Sequence, residues 1–180
     1  MRVVVDACVL YPTVMREMVL GVAAQGFFEP VWSERILEEW ARAAHKLGPD
    51  GEAQARGEIA LLRTHWPKAE KPRDKGLESR LWLPDENDVH VLALAVSTSA
   101  DAIMTLNKKD FPKSVLAEEG LDRVEPDGLL FKIWQGDPDA VTEVGERVLN
   151  VARQLSGEDW QMRALLKKAR LPRLAKALGT

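Results

Sequence analysis

The stretch from Pro84 to Pro112, PDENDVHVLALAVSTSADAIMTLNKKDFP, leaves the chain little freedom in how it folds. Asp85, Glu86 and Asp88 crowd what reads as a first helical turn, where negative charge suits the positive end of the helix dipole. Val91, Leu92, Ala95 and Val96 then recur at helical spacing and give the segment one core-facing side. Ser97 to Ala100 breaks that pattern. Ala102 to Thr105 is short, apolar and bounded by polar residues, the signature of a buried strand. Leu106 to Phe111 follows as a polar loop carrying Asn107 and Asp110 just past the strand's carboxyl end. In open α/β sheets that edge is where ligands bind.

The same logic applies at the other end of the chain. Val3-Val4-Val5 is a β-branched run closing on Asp6, which reads as a second buried strand with an acid at its carboxyl end. Helical patterns fill the interval: one from Pro12 to Gly26, one capped by Ser33 with Ile36, Leu37 and Trp40 buried, and one over Asp50 to Trp66. Phe28 to Trp32 suits an edge strand because of Pro30. Pro67 to Lys75 suits a charged loop, Leu77 to Leu83 a further strand, and Val124 a last one. Gly136-Asp137-Pro138 is the expected boundary. It separates residues 1–136 from a helical C-terminal extension, residues 137–180, with helices over Asp139 to Leu155, Glu158 to Ala169 and Pro172 to Leu178. Strands alternating with helices predict an α/β fold of three layers, a mostly parallel central sheet with helices on both faces. Asp6 and the Asn107–Asp110 loop then share one edge of that sheet.

Composition narrows the chemistry. With 180 residues and a net charge of −3, the chain is not a basic coat for nucleic acid. Its single cysteine, Cys8, excludes an intrachain disulfide and a cysteine-based zinc cluster, and fits a reducing cytoplasm. No apolar run approaches a membrane span, and the first residues read as strand rather than as a secretory leader. Charge is uneven, however: no acid follows Asp159, while Arg163, Lys167, Lys168, Arg170, Arg173 and Lys176 do. With Leu165, Leu166, Leu171 and Leu174 these make a basic amphipathic tail, suited to RNA, to a protein partner or to water.

Asp6, Glu39, Asp85, Asp88 and Asp110 are the acids expected near the sheet edge. Like charges about 4 Å apart repel by roughly 1–4 kcal/mol per pair between water-like and surface-like dielectric. A fold that gathers several must protonate some, spread them, or bind a cation. Carboxylate oxygens without cysteine, and with three scattered histidines, favour Mg²⁺ or Mn²⁺ over zinc. Each acid alone reads better as a cap, turn or solvent-facing residue; the joint pattern is what points to a metal. The six tryptophans are scattered and read as core or interface positions, and His45, His65 and His90 lack ligand spacing.

Four pieces, VVVDACVL, SERILEEW, DENDVHVLALA and ADAIMTLNKKDF, occur in an order and spacing that resembles the PIN-domain family of metal-dependent ribonucleases, which includes the VapC-type toxins. The resemblance covers roughly Arg2 to Gly128. It implies that Asp6, Glu39 and Asp88 are the first three acids of a Mg²⁺ or Mn²⁺ site that hydrolyses RNA. Glu39 is preferred to Glu38 because the pattern puts the acid directly before a large apolar residue, here Trp40. The family's usual fourth acid falls on Asn107, and Asp110 is the compensating ligand or water-orienting group. Thr105 resembles the family's hydroxyl beside the site, and Asp85 is a further supporting acid. The resemblance also implies an RNA substrate, an antitoxin partner, and a homo-oligomer, a dimer.

Other classes fit less well. An aspartyl phosphotransferase would want a second Asp where Cys8 stands, and a receiver-type domain an acidic pair after the first strand. A catalytically weak PIN-like module that binds RNA or protein is the alternative that Asn107 keeps open.

Overall fold

The computed structural model describes residues 1–180. In chain order the elements are β1 (Arg2–Val5), α1 (Ala7–Leu10), α2 (Thr13–Ala24), β2 (Glu29–Val31), α3 (Glu34–Ala43), α4 (Pro49–His65) and α5 (Lys75–Glu78). They continue with α6 (Val89–Ser97), β3 (Ala102–Met104), α7 (Lys113–Glu118), β4 (Asp122–Val124), α8 (Pro126–Gly136), α9 (Pro138–Ser156), α10 (Met162–Lys168) and α11 (Pro172–Leu178). Contacts divide the chain into two compact units, one of Met1–Tyr11 with Glu29–Val124, the other of Pro12–Phe28 with Glu125–Thr180. That division is discontinuous and differs from a single break at Gly136-Asp137-Pro138. At that tripeptide α8 ends and α9 begins, with the Asp137 side chain accepting from Ala140 N at 3.1 Å.

The first unit holds a four-stranded sheet in the order β2-β1-β3-β4, with every pair parallel. Val3, Val4 and Val5 have no exposed surface, as befits a strand with neighbours on both sides. Pro30 is tolerated because β2 is an edge strand, where a missing N–H breaks no ladder on the open side. In the β1–β3 register Val5 faces Met104, and Asp6 N donates to Met104 O at 3.0 Å. The residues that follow the two strands, Asp6 and Thr105, are therefore neighbours at the carboxyl edge. The topology delivers this before any side chain is considered.

Helix α6 packs on β1 and β3, so its N-terminal turn stands close to the edge where those strands end. Helix α3 is capped by Ser33, whose hydroxyl accepts from Ile36 N at 3.2 Å, and it buries Ile36, Leu37 and Trp40. That leaves Glu39 half-buried on the adjoining face. The strand expected over Leu77 to Leu83 does not form. Asp74 instead caps a helical turn by accepting from Leu77 N at 3.0 Å, and Leu81 N bonds back to Leu77 O, so the backbone groups a strand would need are already used.

The second unit is helical throughout: α2, α8, α9, α10 and α11. Gly21 of α2 is needed for its size, because a Cβ there would come 2.5 Å from Val144 Cγ1 on α9. In the basic tail Leu165, Leu166, Leu171 and Leu174 are buried, while Arg163, Lys167, Lys168, Arg170, Arg173 and Lys176 are exposed. The leucines are thus committed to the unit's own core and only the charges face outward. No helix is long and apolar enough to cross a membrane.

Candidate functional site

Asp6 is the most enclosed of the acids, with 7% of its surface exposed. Its Oδ1 accepts from Ala7 N at 2.8 Å, which caps α1, and its Oδ2 accepts from Thr105 Oγ1 at 2.8 Å. The Cys8 thiol donates to the same oxygen at 3.3 Å. Burial pushes the Asp6 carboxyl above its ordinary range, against the opposing pull of those three hydrogen bonds, and Glu39 adds a smaller repulsion. The Cys8 thiol is pushed up to about 12, chiefly by burial and then by the charge of Asp6. It stays protonated and acts as a donor rather than a nucleophile.

Thr105 passes the order on to the next loop. Its Oγ1 accepts from Asn107 N at 3.0 Å. Asn107 Nδ2 in turn donates to Asp110 Oδ2 at 2.8 Å, and Asp110 N donates to Asn107 Oδ1 at 3.3 Å. Asn107 therefore fixes Asp110 from both ends. A carboxylate in its place could not donate to Asp110 at all.

Three acids meet most closely. Oxygens of Asp85, Asp88 and Asp110, all half-buried, lie within 4.8 Å of one another. Asp85 also caps the 3-10 turn Glu86–Asp88, accepting from Asn87 N at 2.9 Å, and Asp88 heads α6. Asp88 is raised from its ordinary 3.8 to about 6, first by partial burial and then by the charges of Asp6, Asp85, Asp110 and Glu39. Asp88 is the residue on which all the other acids converge. The sequence placed Asp85 in a supporting position, and the structure brings it into the tightest group; Asp6 and Glu39 stand outside that 4.8 Å set but within electrostatic reach of Asp88.

Glu39 is held by a group that the sequence did not single out. His90, buried on α6, has Nε2 2.7 Å from Glu39 Oε1. A carboxylate only accepts, so Nε2 carries the hydrogen of this bond, and the buried Nδ1 has no hydrogen-bond partner. Arg35 Nε stands 3.5 Å from the same oxygen. Glu38 points elsewhere: it accepts from Arg56 at 2.9 and 3.0 Å and from Arg42 at 3.3 Å, and those pairs hold its carboxyl below the usual range.

The donor set fits a hard divalent cation. All the clustered groups are carboxylate oxygens, the hard donors that Mg²⁺ and Mn²⁺ prefer, and Asp85, Asp88 and Asp110 would be the residues to hold such an ion. The Asp88 carboxyl is raised by burial first and by its acidic neighbours second, and a bound cation would offset the second of these. A family model for the PIN domain matches residues 2–109, more than half of the chain. The chain belongs to the PIN-domain family. No curated protein and no solved structure gives a match. PIN domains as a class are nucleases that use divalent metal ions, and the matched span of this PIN domain includes Asp6, Glu39, Asp85 and Asp88 and ends one residue before Asp110.

Proposed function

We propose that this PIN domain is a Mg²⁺- or Mn²⁺-dependent endoribonuclease that hydrolyses RNA phosphodiester bonds. We further propose that it is the toxin of a toxin–antitoxin pair, acting in the cytoplasm as a homodimer that an antitoxin protein restrains. The observation that carries the reading is the meeting of Asp85, Asp88 and Asp110 within 4.8 Å, beside Asp6 and Glu39, in a chain of a nuclease family. A divalent cation at the cluster of Asp85, Asp88 and Asp110, with Asp6 and Glu39 completing the expected ligand set, would activate water and offset charge on the phosphate.

The chain's own residues supply the order. Thr105 and Cys8 hold Asp6 Oδ2, so the most buried acid keeps one orientation. His90 holds Glu39 by one oxygen and leaves the other open. Asn107 holds Asp110. Asp6 and Asp110 are thus held by neutral donors, which fix their direction without cancelling their charge, whereas Glu39 also faces the Arg35 guanidinium at 3.5 Å. The test is to follow RNA loss while Mn²⁺ or Mg²⁺ is titrated into metal-free protein. Cleavage that rises with metal and stops with EDTA supports the reading. RNA left intact at every metal concentration would leave a binding module instead.

A further inference from the structure

Trp82 is 65% exposed, which sets it apart from the other five tryptophans. Trp32 and Trp40 are buried, Trp66 packs edge-on to Trp32, Trp134 stacks on Phe131 with centroids 5.6 Å apart, and Trp160 lies under the Lys168 ammonium at 5.0 Å. Only Trp82 presents its ring to open space. The ring is on a firm base: the next residue, Leu83, is buried, and Leu81 N is bonded to Leu77 O at the end of α5.

Its surroundings give the exposure a chemical sense. Trp82 lines an open cavity of about 860 Å³ whose walls include Asp85 and Asp110 of the acid cluster and the cations Arg35 and Lys109. Arg35 is braced, donating to Asn87 O at 3.3 Å and facing Glu39 at 3.5 Å, so its position is set from within the site. Lys109 is exposed. One cavity therefore holds an open aromatic face, two cations and the acids. A ligand filling it needs a flat apolar face joined closely to an anion. An unpaired nucleotide has both, since every base has a π-face and its phosphate is one sugar away. Bases in a duplex are stacked on one another and offer no face to a side chain.

We propose that Trp82 is a stacking platform for one unpaired base of the RNA, with Arg35 and Lys109 receiving the neighbouring phosphates. The proposal rests on the nuclease reading and adds to it a residue that binds a base. Arg35 and Lys109 draw the chain's phosphates into a cavity whose acids would otherwise repel them. Trp82 then anchors a base beside those acids with no preference for its identity. The platform holds a base without reading its sequence.

The experiment measures anisotropy of a fluorescein-labelled, mixed-sequence single-stranded RNA in EDTA, where nothing is cut, with wild type, Trp82→Ala and Trp82→Phe. Stacking on an aromatic side chain is worth enough that Trp82→Ala should bind about tenfold more weakly, while Trp82→Phe should stay within about threefold of wild type. The same RNA annealed to its complement should be bound equally by all three. Unchanged affinity of Trp82→Ala for the single strand, or an equal loss for the duplex, overturns the proposal and returns Trp82 to a protein-contact role. Cleavage of the same RNA by wild type in Mn²⁺ is scored in parallel. If wild type cuts but Trp82→Ala binds normally, the platform alone is wrong. If wild type neither binds nor cuts, the nuclease reading falls with it.

Discussion

The 2.7 Å hydrogen bond between His90 Nε2 and Glu39 Oε1 ties α6 to α3 across 51 residues of chain. It joins the element that carries Asp88 to the one that carries Glu39. The bond needs the hydrogen on Nε2, and it leaves Glu39's second oxygen for other work. His90 acts through Glu39 and is a positioning residue.

Replacing it should therefore weaken metal binding in a way that depends on donor geometry. Outer-sphere partners of metal ligands typically contribute 10- to 100-fold to affinity, so His90→Ala should weaken Mn²⁺ binding by about that factor. His90→Gln, which keeps a donor near the Nε2 position, should recover most of it, and His90→Asn, with its amide near Nδ1, should not. Calorimetric Mn²⁺ titration of the three variants checks this. Equal losses in Gln and Asn would mean that His90 only fills space.

The Asn107–Asp110 pair gives a second outcome. Asp110→Ala should weaken Mn²⁺ binding, because it removes one of the three oxygens of the tight cluster. Asn107→Asp should tighten it by adding an acid, and should lower the melting temperature of metal-free protein, because a donor to Asp110 at 2.8 Å becomes a like charge. Calorimetry and thermal melts measure the two effects. No change in either variant would remove the loop from the metal's surroundings.

Much of this was legible in the sequence, and the omissions have physical reasons. The runs Val3–Val5 and Ala102–Met104 are all-apolar because each strand has neighbours on both sides, so their burial and the acids at their ends could be read directly. Asp85 was readable as a cap, which it is, but one carboxylate can cap a turn with one oxygen and face a cluster with the other. His90 carried no signal, since its partner lies on a different helix and no spacing within α6 points to Glu39. Trp82 was indistinguishable from the core tryptophans because exposure is a property of the fold. Leu77 to Leu83 misled for a local reason: Asp74 caps a helical turn that apolar content alone does not reveal.

Stability should depend on pH through Asp88. Its folded carboxyl is raised to about 6, so between its ordinary 3.8 and about 6 the folded state holds a proton that the unfolded state has released. The sign follows: stability falls as pH rises through that window and levels off above it. Asp88→Asn lacks this penalty. In EDTA its melting temperature should exceed wild type by a margin that grows from about pH 4 to about pH 6 and is constant beyond. Mn²⁺ should shrink the margin by stabilising wild type. A margin independent of pH would show that the Asp88 carboxyl is not raised in the folded state.

The most direct measurement is the initial rate of single-stranded RNA cleavage in Mn²⁺ by wild type, Asp6→Asn and Asp88→Asn. These changes keep the side-chain shape but remove the charge that would bind the cation, and transition-state stabilisation by a metal is worth several kcal/mol. The expected result is a metal-dependent wild-type rate and a loss of roughly 100-fold or more in each variant, with the folded state retained in thermal melts. Cleavage by both variants at the wild-type rate would contradict the assignment of the acidic cluster as the site of chemistry.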